Sequence, residues 1–285
     1  MKATIKTFFD PATFTATHVV SCPQTGGAAI IDSVLDYDPK AGRTDSASAD
    51  QVVKYLRDEG LSAEWHLETH AHADHFSAAP YLKERVGGRI AIGCHIRQVQ
   101  GVFKAIFNAK DMHTDGAQFD HLFDDDERFR IGHLEARVLH TPGHTPACVT
   151  YLIGDDAFVG DTLFMPDYGS ARCDFPGGDA RVLFRSIRKV LALPPQTRLH
   201  LCHDYLPGGR EARWETTVAA QRAANVHVHE GVTEDEFVAM RTARDKTLDM
   251  PTLMLPAVQV NVRAGHLPPP EDNGTRYLKI PLNVL

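Results

Sequence analysis

The chain has 285 residues, of which 43% are hydrophobic and 24% charged, and its formal net charge is −7. This is the make-up of an ordinary soluble globular protein, long enough to bury a sizeable core. Acids and bases are mixed along it, so no basic stripe argues for nucleic acid, and no window approaches the roughly 18 apolar residues of a membrane span.

Met1-Lys-Ala-Thr-Ile-Lys opens on a strand-like segment without an apolar signal core or an Arg-rich presequence. Five scattered cysteines (Cys22, Cys94, Cys148, Cys173, Cys202) contain no Cys-x-x-Cys. Both features point to a reducing cytoplasm. Ile5–Phe8, Thr13–Val20 and Ala28–Ile31 read as successive strands, and Asp50–Glu59 as a helix that Gly60 ends. In Glu64–Glu68, Trp65 and Leu67 alternate with polar residues as in a strand. A helix is predicted from near Phe76 to about Val86. Gly87-Gly88 breaks it before the strand Arg89-Ile-Ala-Ile. Residues 95–120 are less regular, with a helical piece at Gln98–Asn108 and a polar loop through Asp115-Gly116. The acidic cluster Asp124–Glu127 reads as a solvated turn, not a calcium site.

Four strand signals follow between Arg128 and Val159. Ala180–Leu193 is a helix closed by Pro194-Pro195, and another apolar stretch surrounds Leu199–Leu201. Glu211–Asn225 reads as helical. Thr233–Lys246 begins with the capping box Thr233-Glu-Asp-Glu236, and Pro251 stops it. The Pro-rich tail 251–285 has enough Leu, Val and Ile to wrap the core. Strands in two groups with helices outside predict an α/β protein, an αββα sandwich. Residues 1–210 form the catalytic part, and 211–285 a C-terminal extension within the same globular unit.

The most informative run is Thr69-His-Ala-His-Ala-Asp-His75, with His70, His72, Asp74 and His75 within six positions. Imidazole and carboxylate together bind zinc or ferrous iron. The run follows one strand. His144 in Thr141-Pro-Gly-His, Asp161 in Gly160-Asp-Thr and His203 in Cys202-His-Asp-Tyr each follow another. Any one of these alone reads as a turn former or a satisfied polar residue. Together they place one chemistry at four strand ends.

His70, His72, Asp74 and His75, followed by His144, Asp161 and His203, resemble the ligand set of the metallo-β-lactamase superfamily in order and spacing. The resemblance reaches from the first strands to about residue 210. It implies that superfamily's fold, and it places Asp32 as an acid supporting the His-rich loop. Two metal arrangements follow from it. In one, His70, His72 and His144 hold one ion, Asp74, His75 and His203 a second, and Asp161 bridges; a bridging hydroxide then attacks a thioester or amide carbonyl. In the other, only His70, His144 and Asp161 bind a single ferrous ion, while His72, Asp74, His75 and His203 orient ligands and water.

Residues outside the ligand set select between them. Ser170-Ala-Arg172-Cys-Asp174-Phe175 is similar to the Gly-Arg-Thr-Asp-Phe segment of the persulfide (sulfur) dioxygenases, and His203-Asp-Tyr205 to their His-Asp-Tyr. The 95–120 insertion and the tail resemble the bacterial type II branch. The resemblance implies one Fe(2+) per chain at His70, His144 and Asp161, oxidation of glutathione persulfide with O2 to glutathione and sulfite, and a homodimer. It also implies that Arg172 and Tyr205 hold glutathione, with the Arg172 guanidinium taking a carboxylate in a two-bond fork. Ser170 and Ala171 stand where the better-known branch has cysteine and glycine, and Cys173 reads as structural. The rival is a hydroxyacylglutathione hydrolase (glyoxalase II) with two Zn(2+). A third class, a thiol sensor with a structural metal, fits less well, because structural zinc sites are closed by four protein ligands, commonly with Cys.

Overall fold

The structure is a computed structural model that describes residues 1–284. The chain opens with an antiparallel meander of β1 (Thr4–Asp10), β2 (Thr15–Ser21) and β3 (Gly27–Ile31). A hairpin of β4 (Val34–Asp38) and β5 (Arg43–Asp45) leads to α1 (Ala47–Asp58), and β6 (Ser62–Leu67) then lies parallel to β3. After the His-rich run come β7 (Phe76–Ser77), α2 (Ala79–Val86), β8 (Arg89–Gly93), α3 (Ile96–Ile106) and β9 (His121–Phe123). The first six-stranded sheet has the order β1-β2-β3-β6-β8-β9.

The second sheet begins with the antiparallel series β10 (Arg128–Ile131), β11 (Leu134–His140), β12 (Val149–Ile153) and β13 (Asp156–Phe158). Helix α4 (Ala180–Leu191) crosses over to β14 (Arg198–His200), parallel to β13, and β15 (Glu215–Thr217) closes the edge. The chain ends with α5 (Val218–Ala224), α6 (Glu234–Asp245) and α7 (Met254–Asn261).

The two sheets face each other through Val20, Ile31, Leu67 and Phe123 on one side and Val138, Val149, Tyr151 and Phe158 on the other. Each fully buried side chain of this size contributes about 1.5–3 kcal/mol. Helix α1 turns Val52, Val53 and Leu56 onto Ala28 and Ile30, on the outer face of the first sheet. Helices α4 and α6 cover the second sheet through Leu183, Ile187 and Phe237. The result is the αββα sandwich that the strand and helix pattern predicts. Among the described residues no helix is long and apolar enough to cross a membrane.

Three segments differ from the sequence reading. Phe76–Ser77 is extended and pairs with β4, and the helix starts only at Ala79, where Pro80 lies in the first turn and needs no donor. Residues 215–217 are a strand, not the middle of a 211–225 helix. The β-branched pair Thr216-Thr217 takes the open edge of β14, and Thr217 then caps α5 by accepting from the Ala220 amide. Helix α7 was hidden by prolines, but Pro256 sits in its first turn, where backbone donors have no helical partner anyway. Met254, Val258 and Val262 bind α7 to Ile92 and Val99.

Candidate metal centre

Asp32 follows β3 in a left-handed conformation (φ 52°) with its carboxylate buried beneath the His-rich loop. Oδ1 accepts from the Thr69 amide at 2.8 Å and from His72 Nε2 at 3.0 Å, and Oδ2 accepts from the Thr69 hydroxyl at 2.8 Å. Glu68 Oε2 lies 3.2 Å from the same His72 nitrogen, and its Oε1 accepts from Ser77 at 2.6 Å. His72 Nε2–H is therefore held between two carboxylates. Burial opposes its charge, but Asp32 and Glu68 together raise its pKa well above the ordinary value.

His70, on the same His-rich loop, is met by His144 and Asp161 from two other loops. The His70 ring is set by the Thr69 hydroxyl, 3.1 Å from Nδ1. His144 Nδ1–H donates to the Arg172 carbonyl at 2.8 Å, which leaves Nε2 with a free lone pair. Its loop needs Gly143: φ is 131°, and a Cβ there would lie 2.3 Å from the Leu183 backbone. Asp161 follows Gly160 (φ 52°), where a Cβ would come 2.5 Å from the Thr69 hydroxyl. His70 Nε2 and His144 Nε2 stand 3.9 and 3.7 Å from Asp161 Oδ2, beyond hydrogen-bond reach. Burial, then the neighbouring His72 and His144, keep His70 neutral, the form that ligates metal.

The remaining donors form a second group beneath. Asp74 Oδ2 lies 3.0 Å from His203 Nε2, and Oδ1 lies 3.2 Å from His75 Nδ1. The Thr15 hydroxyl touches both rings, 3.3 Å from His75 Nδ1 and 3.4 Å from His203 Nδ1. Burial opposes both charges, yet the pair holds Asp74 well below the carboxylate range and raises His203 to about 9. His72 Nδ1, His75 Nε2 and Asp161 Oδ1 are buried with no hydrogen-bond partner. Stranded polar atoms of this kind are costly, and bound cations satisfy them. The donor set therefore fits a metal centre. All seven ligand positions named from the sequence meet here.

A cavity of about 560 Å³ opens over the centre. Of the seven donors, His70, Asp74, His144 and Asp161 reach it; its walls include Phe14, Tyr37, Phe164, Tyr168, Phe175 and Tyr205. Tyr205 lies 4.9 Å from Tyr168 between ring centroids and stacks over His203 at 5.6 Å. Arg172 also lines the cavity, but its guanidinium is engaged. Nε and Nη2 bind Asp174 at 2.6 and 2.7 Å, and Nη1 binds the Asp249 carbonyl at 2.6 Å. Arg244 reaches the same cavity, exposed, with its guanidinium 6.0 Å from the Tyr168 ring and no carboxylate of the described residues in ion-pair range.

The two-sheet sandwich and the His/Asp donors at its strand ends agree with a family model, that of the metallo-beta-lactamase superfamily, which matches residues 12–203. The chain belongs to the metallo-beta-lactamase superfamily. Within it, a probable metallo-hydrolase of Burkholderia pseudomallei (strain 1710b) is 61% identical over 99% of this chain and 100% of that one. Glyoxylase B2 of Dictyostelium discoideum is 52% identical over 100% and 98%. The mitochondrial persulfide dioxygenase ETHE1 of Homo sapiens is 28% identical over 92% and 88%. The crystal structure of ETHE1 from Myxococcus xanthus superposes with a TM-score of 0.74, at 27% identity over 92% and 100%. The chain spans 65% of the length of a beta-lactamase hydrolase-like protein of Agrobacterium fabrum, to which it is 56% identical.

Two residues that position this metallo-beta-lactamase centre have no role assigned to them from the sequence. Asn261, at the end of α7, donates from Nδ2 to the His72 and His75 carbonyls at 2.8 and 2.7 Å and accepts the Ser77 amide at 2.9 Å. Asp204, buried beside His203, accepts from Arg210 at 2.8 Å and from the Arg213 amide at 2.6 Å. Asp204 was visible as part of His-Asp-Tyr; nothing in the tail marked Asn261. Cys173 lies within the α4 and α6 cluster, and its amide donates to Asp245 at 2.9 Å.

Proposed function

We propose that this metallo-beta-lactamase superfamily enzyme is a persulfide dioxygenase, holding one ferrous ion at His70, His144 and Asp161 and converting glutathione persulfide and O2 to glutathione and sulfite. One observation carries the reading. These three donors face the cavity unbonded to one another, while Asp74, which also reaches the cavity, is held by His203 and His75 beneath it. Ferrous iron held by two imidazoles and a carboxylate supplies oxygen chemistry.

The chain's own residues do the rest. Asp32 and Thr69 fix the loop that carries His70, and the Arg172 carbonyl fixes the His144 tautomer. The aromatic walls offer an apolar channel to a sulfur-bearing substrate. With its fork taken by Asp174, Arg172 acts as a strut for the 172–174 segment. Arg244, not Arg172, is the cation free to meet a glutathione carboxylate, and Tyr205 supplies a hydroxyl within the cavity. Residues 211–285 contribute Arg244 and the Asn261 clamp, so they act with 1–210 as one unit.

A second reading, a hydroxyacylglutathione hydrolase with two zinc ions, has its own support. His72 Nδ1, His75 Nε2 and Asp161 Oδ1 are three stranded atoms that a second ion would satisfy. The names of the more similar relatives, metallo-hydrolase and glyoxylase at 61% and 52% identity, weigh on this side, against 28% for persulfide dioxygenase. Metal analysis of anaerobically purified protein, paired with an oxygen electrode, separates the two. One iron per chain and O2 uptake on adding glutathione persulfide support the first reading. Two zinc per chain, thioester hydrolysis and no O2 uptake establish the second in its place.

A further inference from the structure

Neither reading uses Cys202. It stands between β14 and His203, 1% exposed, with Sγ 3.4 Å from His203 Nε2. Its sulfur, a ring nitrogen of His203 and a carboxylate oxygen of Asp161 all lie within 4.8 Å of one another. A second observation concerns Asp161 Oδ1. Asp161 is 7% exposed, and this oxygen has no hydrogen-bond partner while pointing at the same spot, 3.5 Å from His203 Nε2. Sulfur and nitrogen bound to one tetrahedral zinc, at about 2.3 and 2.0 Å, lie about 3.5 Å apart. The observed separation, which in the metal-free protein is that of a thiol–imidazole hydrogen bond, is thus also a ligand-to-ligand distance.

We propose that the inner part of this centre is a thiolate-bearing metal site, in which Cys202 Sγ, His203 Nε2 and Asp161 Oδ1 hold a soft or borderline divalent ion such as zinc or cadmium. On binding, the S–H bond breaks as the sulfur–metal bond forms, and the proton passes to solvent, together with any proton on His203 Nε2. No atom changes oxidation state. The neutral His203 ring then keeps its Nδ1 toward the Thr15 hydroxyl, 3.4 Å away. Thiolate ligation favours zinc and cadmium over harder ions, so the inner position selects differently from the oxygen- and nitrogen-only outer triad. The inference is independent of the reaction performed at that triad.

Cadmium titration of the metal-free full chain tests it, read by the ultraviolet thiolate-to-cadmium charge-transfer band. The band is expected to grow to saturation in the wild type and in Cys148→Ser, and to be absent from both Cys202→Ser and Cys202→Ala. Cadmium NMR of the wild-type protein gives a measurement that needs no variant, with one resonance expected in the range of sulfur-bearing sites. Cadmium bound without the band, a band that survives in Cys202→Ser, or a resonance typical of nitrogen and oxygen ligands alone would each overturn the proposal.

Discussion

Replacing Asn261 by alanine removes three hydrogen bonds at once, two to the carbonyls of His72 and His75 and one from the Ser77 amide. Each bond is worth about 1 kcal/mol net, and stranding the carbonyls and the amide in a buried site adds to that, so the loss should be about 3–4 kcal/mol. Asn261 is only 4% exposed, so water cannot readily replace the amide. Urea unfolding of the metal-free protein, with the m-value checked for constancy, measures the stability term. The same variant should bind metal more weakly, because the loop between β6 and β7 loses its anchor to α7. Asn261→Leu keeps the volume and should behave like alanine, which separates lost hydrogen bonds from a cavity. A loss under about 1 kcal/mol together with unchanged metal affinity would refute the clamp.

Gly160→Ala should cost about 1–3 kcal/mol from left-handed strain alone, and should also lower metal content, since the new Cβ displaces the Thr69 hydroxyl; full metal loading in the folded variant would contradict this. Arg244→Ala should raise KM for a glutathione-bearing substrate roughly tenfold with little change in kcat, as expected for loss of one charged hydrogen bond. Arg172→Ala should instead lower kcat or metal content; the reverse pattern in steady-state kinetics would return the carboxylate contact to Arg172. Burial, and then His200, push the His18 pKa down to about 3. The unfolded chain takes up that proton as pH falls through about 6.5 and the native one does not. Stability is therefore full above pH 6.5 and declines below it, by about 2 kcal/mol from this group at pH 5. Urea unfolding of wild type and His18→Gln at both pH values measures it, and identical pH slopes would count against the assignment.

The donors were legible because ligands that share an ion recur at strand ends, and a strand end can be read from apolar alternation followed by a turn former. Pro142-Gly143 before His144 and Val159-Gly160 before Asp161 are of this kind. The two sheets were legible for the same reason. The edge strand at Glu215–Thr217 was not, since its pairing depends on the open edge of β14, which lies far away in sequence terms only for a reader of local pattern. Helix α7 was not legible because proline argues against a helix unless its place in the first turn is known. Asn261 was lost with it. Arg172 shows a different limit. Its residue type suits a carboxylate, but its availability depends on Asp174 and the Asp249 carbonyl, and only the fold brings that carbonyl to it.

The number of metal ions is set by the same kind of availability. His70, His72, Asp74, His75, His144, Asp161 and His203 are one list in either reaction. What differs is whether Asp74 is a ligand or the hydrogen-bond partner of His203 and His75. A carboxylate held by two imidazoles, 3.0 and 3.2 Å away, is stabilised in place, and an ion entering there must displace both. The outer triad has no such competitor, because His70 Nε2 and His144 Nε2 face Asp161 beyond hydrogen-bond reach. The outer position should therefore fill first, whatever the ion. In a metal titration, His75→Ala should leave the first equivalent nearly unchanged and weaken the second, whereas His144→Ala should abolish the first. Loss of the tighter equivalent in His75→Ala would reverse that order and favour the two-ion hydrolase.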